Sequence, residues 1–263
     1  MSFVAKKSLG QNFLHAPQVI STMIHAGEIS KESIVLEVGP GKGALTSKLL
    51  ETGARVIAIE KDDRAIPFLQ EKFFAEIKNQ QLEIIHGDIL EFDETAHEKL
   101  KANYVLIANI PYYITGEFLR KFLESNNPPQ KIVVMVQKEV AKRVVDAKES
   151  ILSISVKAYG EPKYICSVPR KFFRPMPNVD SAVLMIQHIS KSFFEKIDEK
   201  YFFEVLKAGF AHKRKVVIRN LEQKIPKGAL ETIWEKEKLP KDLRAENISL
   251  EVWKKIVGDS LVS

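Results

Sequence analysis

Residues 34–52 read IVLEVGPGKGALTSKLLET, a segment in which an apolar run is followed by glycines and a helical pattern. A short apolar run predicts a buried strand over residues 34–38. Three glycines at alternate positions follow, and the apolar spacing after them predicts a helix over about residues 44–52. Because glycine has no Cβ, a ligand can approach the backbone closely at such a turn, here at Gly39, Gly41 and Gly43.

The same alternation continues through the first two-thirds of the chain. Six further apolar runs predict strands, at residues 55–60, 82–86, 104–108, 131–136, 164–168 and 182–186. An amphipathic helix is expected over about residues 63–78. Strands that alternate with helices at this spacing predict an α/β fold with a mostly parallel seven-stranded sheet. After about Ser190 the periodicity is helical, so we expect an α/β domain over residues 1–190 and an all-helical domain over residues 191–263.

The composition is that of a soluble globular protein. The 263 residues are 45% hydrophobic and 28% charged, and they contain a single cysteine, Cys166. No run approaches the roughly 20 apolar residues that span a bilayer, so we expect neither a signal peptide nor an anchor. One cysteine cannot form an internal disulfide, which favours a cytoplasmic location. No Cys/His spacing indicates a metal site.

Positive charge is concentrated in two segments of the second half. Residues 130–175 hold ten basic and four acidic side chains, and residues 205–228 hold seven and one. Residues 1–129, by contrast, hold fourteen basic and seventeen acidic side chains. Such patches usually contact a phosphate backbone, although solvated lysines that aid solubility would look the same.

Acidic residues end the second and third predicted strands. Glu60 follows Gly43 by 17 residues, a position from which it can accept hydrogen bonds from two ribose hydroxyls. Asp88 can accept a hydrogen bond from an adenine amine, or can simply cap the turn after Gly87. The glycine spacing differs from the dinucleotide fingerprint. Together, the strand ends favour a nucleoside-containing cofactor at the carboxyl edge of the sheet.

The fourth predicted strand ends in the turn Asn109-Ile110-Pro111-Tyr112. The lone pair of an adenine N6 amine is delocalised into the ring, so a catalyst must accept the amine hydrogens. The Asn109 side-chain oxygen and the Ile110 carbonyl are suited to that task. Proline keeps the turn rigid, and Tyr112 can stack on a base swung out of its helix. The alternative is a plain turn with core tyrosines.

Five ordered motifs resemble the ribosomal RNA adenine dimethyltransferases of the KsgA type. They are KSLGQNFL at residues 7–14, VLEVGPGKGALT at 35–46, NIPYY at 109–113, VQKEVA at 136–141 and FRPMPNVDSAV at 173–183. The resemblance implies a Rossmann-like class I methyltransferase fold with S-adenosylmethionine as cofactor. It also implies dimethylation of two adjacent adenosines in the 3′-terminal hairpin loop of 16S rRNA, with the small ribosomal subunit or its precursor as partner.

The resemblance also implies roles for individual residues. Tyr112 and Phe173 would enclose the flipped adenine, and a basic stretch would face RNA at Lys213, Arg214 and Lys215. The implied cofactor contacts are Gln11, Asn12, Leu14, Gly39, Glu60, Asp88 and Asn109, to which the glycine turn adds Gly41. Met176 stands where a proline is usual, and residues 147–150 depart from the family pattern. Nothing indicates an obligate dimer, so we expect a monomer.

Two alternatives remain at this point. A resistance-type methyltransferase acting on large-subunit RNA shares the adenine turn and the glycines, but VDSAV at residues 179–183 and the length of the helical domain favour the small-subunit type. A non-catalytic RNA-binding assembly or transcription factor could keep the fold. The complete Asn-Ile-Pro-Tyr turn argues against loss of activity.

Overall fold

The computed structural model describes residues 4–6, 9–212 and 214–260. The chain divides into two compact units. Of the described residues, those up to Ala141 and Glu161–Ile189 form the first unit, whereas Lys142–Gly160 and the chain from Ser190 onward form the second. None of the helices in these ranges is long and apolar enough to cross a membrane.

Nine strands lie in the described part of the chain, all of them in the first unit. They are β1 (Phe13–Leu14), β2 (Ile34–Val38), β3 (Arg55–Glu60), β4 (Leu82–His86), β5 (Val105–Asn109), β6 (Lys131–Gln137), β7 (Glu161–Val168), β8 (Phe173–Arg174) and β9 (Ser181–Gln187). Seven of them form one sheet in the order β4-β3-β2-β5-β6-β9-β7. All are parallel except β9, which runs antiparallel to both of its neighbours. The predicted α/β fold with a mostly parallel seven-stranded sheet is therefore confirmed.

Helices cover this sheet on both faces. The first unit contains α1 (Pro17–Ala26), α2 (Ala44–Glu51), α3 (Ala65–Lys72), α4 (Phe74–Lys78) and α5 (Thr115–Glu124). Alternate strand residues such as Val35 and Ile107 pack with α1, α2 and α3 in one core cluster. The intervening residues, such as Leu36 and Leu106, are equally buried. Burial on both faces explains why these strands read as continuous apolar runs.

The single helix expected over residues 63–78 is wrong, because the chain breaks at Phe73. This residue leaves helical geometry, with φ −114° and ψ 31°, and separates α3 from α4. Its side chain is buried in the core. The ring lies against the glycine turn, where an added Cβ at Gly43 would be 2.5 Å from it.

The second unit is helical. Helix α6 (Lys138–Val145) crosses the boundary, and α7 (Ile151–Tyr159), α8 (Glu199–Gly209), α9 (Val217–Leu221), α10 (Lys227–Lys236) and α11 (Leu250–Ser260) follow. Trp253 of α11 is buried, and its ring lies against Gly209 of α8, where an added Cβ would be 2.3 Å from it. The expected helical C-terminal part is therefore confirmed.

The units differ from the expected division in the segment Lys142–Gly160 and, by one residue, at Ser190. Helix α7 in this segment packs against α8 and α11. The Glu149 N–H donates to the Glu246 carbonyl at 2.8 Å, and the Tyr159 hydroxyl donates to Glu199 at 2.7 Å. The segment lies between two strands in sequence, so chain order alone assigned it to the sheet domain.

Candidate active site

A cavity of about 260 Å³ lies in the first unit where strands β2 to β5 end. Because neighbouring strands are parallel, their carboxyl ends meet at this edge. Ten of the expected site residues line the cavity, namely Gln11, Asn12, Gly39, Gly41, Glu60, Asp88, Asn109, Ile110, Pro111 and Tyr112. Residues that lie up to 101 positions apart in sequence are thus brought to one wall.

The glycine turn is held by a hydrogen bond to Glu60 and by packing against Phe13. Gly41 has φ +55°, and its N–H donates to the Glu60 carboxylate at 2.9 Å. An added Cβ at Gly41 would lie 2.9 Å from the Phe13 ring, so the turn requires glycine for both conformation and space. The bare backbone leaves the cavity side open to a ligand.

Glu60 is almost completely buried at the end of β3. One carboxylate oxygen accepts from Gly41, and the other accepts from the Asp62 N–H at 2.8 Å. Burial raises the pKa of Glu60, although these hydrogen bonds oppose the rise. Each oxygen keeps a second lone pair, so the residue can still accept bonds from hydroxyl groups in the cavity.

Asp88 both caps a turn and lines the cavity. One carboxylate oxygen accepts from the Leu90 N–H at 3.0 Å, and the other pairs with the Lys61 ammonium. Burial would raise the pKa of Asp88, but the bonds from Lys61 and Leu90 outweigh it and lower the pKa. Lys61 itself lines the cavity and was not predicted. The positive charge of Lys61 keeps the Asp88 carboxylate ionised at the wall of the cavity.

Asp62 is a structural residue of the site that the sequence analysis missed. Its side chain is only 1% exposed, and it accepts from the Gln11 amide at 2.7 Å. Arg64 donates to both of its oxygens, at 2.8 and 2.6 Å, and lowers the pKa of Asp62 to about 2. Gln11 also accepts from the Lys6 N–H at 2.7 Å. Gln11 therefore holds the N-terminal segment at the cavity through protein contacts.

Asn109 lies at the end of β5 on the cavity wall. Its amide nitrogen makes a long hydrogen bond of 3.5 Å to the Asn12 carbonyl. Within residues 4–6, 9–212 and 214–260, no hydrogen bond to its side-chain oxygen is found. The oxygen that was expected to accept an amine hydrogen is therefore available.

Tyr112 is held by a buried serine. Its hydroxyl lies 2.6 Å from the Ser181 hydroxyl, and Ser181 is completely buried on β9. Burial raises the pKa of Tyr112, and the bond to Ser181 partly opposes the rise. The phenol is therefore neutral at physiological pH, and its ring is fixed beside the turn. Ser181 lies in the VDSAV segment, which had been noted only as a motif.

Phe173 and Leu14 do not lie on this wall. Phe173 is 2% exposed and belongs to the core cluster, and the contact of its ring with a flipped base stays a prediction. It pairs with Leu14 in a two-stranded ribbon of β1 and β8, which the sequence did not reveal. Leu14 instead lines a second cavity of about 180 Å³, which shares Phe13, Gly39 and Asn109 with the first. The ribbon buries both side chains.

The predicted RNA-facing stretch lies in the second unit, between α8 and α9. Arg214 and Lys215 are exposed there, and Lys213 lies outside the described residues. No group of three His, Cys, Asp or Glu side chains that could hold a metal ion is found in the described ranges.

Comparison with known proteins identifies the family to which the chain is similar. The family model for ribosomal RNA adenine dimethylases matches residues 2–258. A Dehalococcoides mccartyi (strain CBDB1) protein named ribosomal RNA small subunit methyltransferase A is 39% identical over 259 residues, covering 96% of this chain and 87% of that protein. A Listeria monocytogenes (serotype 4a) protein of the same name is 39% identical over 85% of this chain and 78% of its own length.

Two solved structures share the fold. A dimethyladenosine transferase from Plasmodium falciparum aligns with a TM-score of 0.78 and 27% identity, covering 93% of this chain and 95% of that one. The 23S rRNA methyltransferase ErmE aligns with a TM-score of 0.75 and 23% identity, covering 95% and 99%. With the family model matched over residues 2–258, the chain belongs to the ribosomal RNA adenine dimethylase family.

Proposed function

We propose that the protein transfers methyl groups from S-adenosylmethionine to the N6 amines of two adjacent adenosines in the 3′-terminal hairpin loop of 16S rRNA. Each adenosine receives two methyl groups. The observation that carries the proposal is the available side-chain oxygen of Asn109 on the wall of the strand-end cavity. The relatives named small subunit methyltransferase A support the choice of subunit.

The donors and acceptors at the wall suit S-adenosylmethionine. Glu60 and Asp88 would accept from ribose hydroxyls and an adenine amine, with the apolar side chains of Ile59 and Ile89 beside them. Gly39 would let the backbone approach the amino-acid portion, and Asn12 would lie across it. When bound, the cofactor supplies a methyl group on a sulfonium centre.

Asn109 and Ile110 would prepare the amine for attack. If the Asn109 oxygen and the Ile110 carbonyl each accept an amine hydrogen in the first transfer, the nitrogen becomes tetrahedral and its lone pair is directed outward. The monomethylated amine of the second transfer has one hydrogen left, which one of the two acceptors would take. In each transfer the amine gains a methyl group and loses a proton. Preorganised acceptors of this kind contribute most where charge develops in the transition state. Transfer would be direct, without a covalent enzyme intermediate or a metal. Pro111, with φ −57°, would keep the two acceptors in register.

The second unit would bind RNA, with Lys213, Arg214 and Lys215 contacting phosphates. Exposed cations contribute sequence-independent affinity, which falls as salt concentration rises. The base-level selection would come from the cavity in the first unit. We propose that the protein is cytoplasmic and monomeric. Light scattering on the purified protein at several concentrations would test the monomeric state.

The decisive experiment gives the protein methyl-labelled cofactor and ribosomal subunits that lack these modifications. The proposal expects label in the small subunit only, and none in small subunits that are already methylated. Label in the large subunit would favour the resistance-type enzyme. Binding to RNA without any transfer of label would favour the non-catalytic assembly factor.

A further inference from the structure

Tyr113 is an exposed aromatic residue at the mouth of the cavity. It is 68% exposed, and it lines the cavity beside Tyr112. The other large exposed apolar residues of the described chain are Val4, Phe74, Ile151, Met176 and Val179, and none of them lines this cavity. An aromatic ring left in solvent beside a binding cavity is a feature of nucleobase recognition.

The Tyr113 ring is held in place although it is exposed. Gly10 has φ +63°, and an added Cβ there would lie 3.3 Å from the Tyr113 ring edge and 3.2 Å from Pro111 Cβ. One edge of the ring therefore rests on the bare backbone of the N-terminal segment. The residue also lies within the 3-10 turn Tyr112–Ile114, which restricts its backbone. A ring that is already positioned loses little conformational entropy when a ligand binds.

The surroundings of the ring suit a nucleoside. Lys61 lines the same cavity and is largely exposed. Lys61 donates a hydrogen bond to the Asp88 carboxylate, and this bond is the main cause of the raised pKa of Lys61. An exposed aromatic ring and charged side chains around one cavity suit a flat base attached to a polar sugar. Phe173, the aromatic residue first expected to supply a second ring, is buried in the core.

We propose that Tyr113 is a stacking platform for an adenine ring at the mouth of the cavity. The inference rests on the proposed function, in which adenine occurs both in the methyl donor and in the target nucleotide. Both sources present the same flat purine, so the experiment needs one arm for each. Tyr113 then contributes binding energy and does not take part in the transfer itself.

The test compares Tyr113→Ala and Tyr113→Phe with the matched control Phe74→Ala. Phe74 is an equally exposed aromatic residue, at 68%, and it does not line the cavity. One arm measures the affinity for S-adenosylhomocysteine by calorimetry. The other measures the concentration of unmethylated small subunits that gives half-maximal methyl transfer at saturating cofactor.

Tyr113→Ala is expected to lower the affinity for S-adenosylhomocysteine or to raise the half-saturating subunit concentration, in either case by about 10-fold. The reason is that stacking on an aromatic side chain contributes roughly 1–3 kcal/mol per base. Tyr113→Phe and Phe74→Ala should stay near the parent. Loss in the first arm identifies the donor's adenine, and loss in the second identifies the target base. Parental values for Tyr113→Ala in both arms would overturn the platform, as would equal losses in the alanine and phenylalanine variants.

These outcomes are distinct from failure of the proposed function. A parent protein that binds S-adenosylhomocysteine but labels neither subunit contradicts the proposed function alone. The calorimetric arm then still decides whether Tyr113 stacks on adenine: a loss confined to Tyr113→Ala supports the platform, and parental affinity contradicts it.

Discussion

The side-chain amide of Gln11 donates a hydrogen bond of 2.7 Å to the carboxylate of Asp62, which lies just beyond the end of β3. The bond joins the N-terminal segment to the wall of the cavity. Arg64 donates two further hydrogen bonds to the same carboxylate, which fix the orientation of the group that Gln11 contacts. The N-terminal segment is therefore positioned by the buried carboxylate of Asp62, whose partner Arg64 is partly exposed.

Asp62→Asn should weaken binding of S-adenosylhomocysteine by about 10-fold, because hydrogen bonds to a charged group contribute roughly 1.5–3 kcal/mol and the segment over the cavity loosens. Calorimetry measures the affinity. Asp63→Asn, at the exposed neighbouring position, is the control. Unchanged affinity in Asp62→Asn would show that the ion pair does not organise the site.

The same residue predicts a pH dependence of stability. The pKa of Asp62 falls from an ordinary value of 3.8 to about 2 in the folded protein. A depressed carboxyl pKa stabilises the fold above the unfolded value, and this contribution is lost as the pH falls from about 4 towards 2. The free energy of unfolding of Asp62→Asn should therefore change less over this interval than that of the parent. Parallel curves would contradict the assignment.

Glu37 predicts the opposite dependence. It is buried on β2, and burial raises its pKa from 4.5 to about 8, although hydrogen bonding from Thr46 opposes the rise. Because the folded state holds a proton that the unfolded state releases, this residue makes stability fall as the pH rises from about 4.5 to 8. Glu37→Gln should gain stability relative to the parent over that interval, as measured by chemical unfolding. Glu32→Gln, which alters an exposed carboxylate, should not.

The effects of substituting Tyr112 and Ser181 should be coupled, because the two hydroxyl groups share one hydrogen bond. Removing their hydrogen bond through Tyr112→Phe or Ser181→Ala should lower methyl transfer by about 5-fold, the equivalent of roughly 1 kcal/mol. The double variant should be no worse than either single variant, because each substitution breaks the same bond. Single-turnover rates at saturating cofactor measure this coupling. Additive losses would mean that the serine does not position the tyrosine.

Gly43→Ala should destabilise the first unit by about 1–3 kcal/mol. Its φ is +71°, and an added Cβ would lie 2.5 Å from the buried Phe73 ring. Gly116→Ala is the matched control, because nothing lies within 4 Å of the added atom. That substitution lies in α5 and should be neutral or stabilising by up to about 1 kcal/mol. Equal unfolding midpoints for the two variants would contradict the packing at the glycine turn.

The sequence predicts those features that depend on local patterns. The glycine turn, Glu60 and Asn109 follow apolar runs directly, and parallel strands bring such ends together. The pairing of Leu14 with Phe173 joins positions 159 residues apart, and its two-residue strands carry no periodicity. Asp62 offered no signal beyond its position near Glu60, because its partner Gln11 is 51 positions away in sequence and contacts it only in the folded chain. Long-range packing likewise assigned Lys142–Gly160 to the helical unit.

The role of Asn109 is tested by the rates at which Asn109→Ala and the parent transfer methyl groups to unmethylated small ribosomal subunits, with the product nucleosides identified by mass spectrometry. The parent should yield N6,N6-dimethyladenosine. The variant should be slower by on the order of 10²-fold while it retains affinity for S-adenosylhomocysteine, because it lacks the acceptor oxygen at the amine. Equal rates for the variant and the parent would contradict the proposed role of Asn109 and the adenine-N6 mechanism built on it.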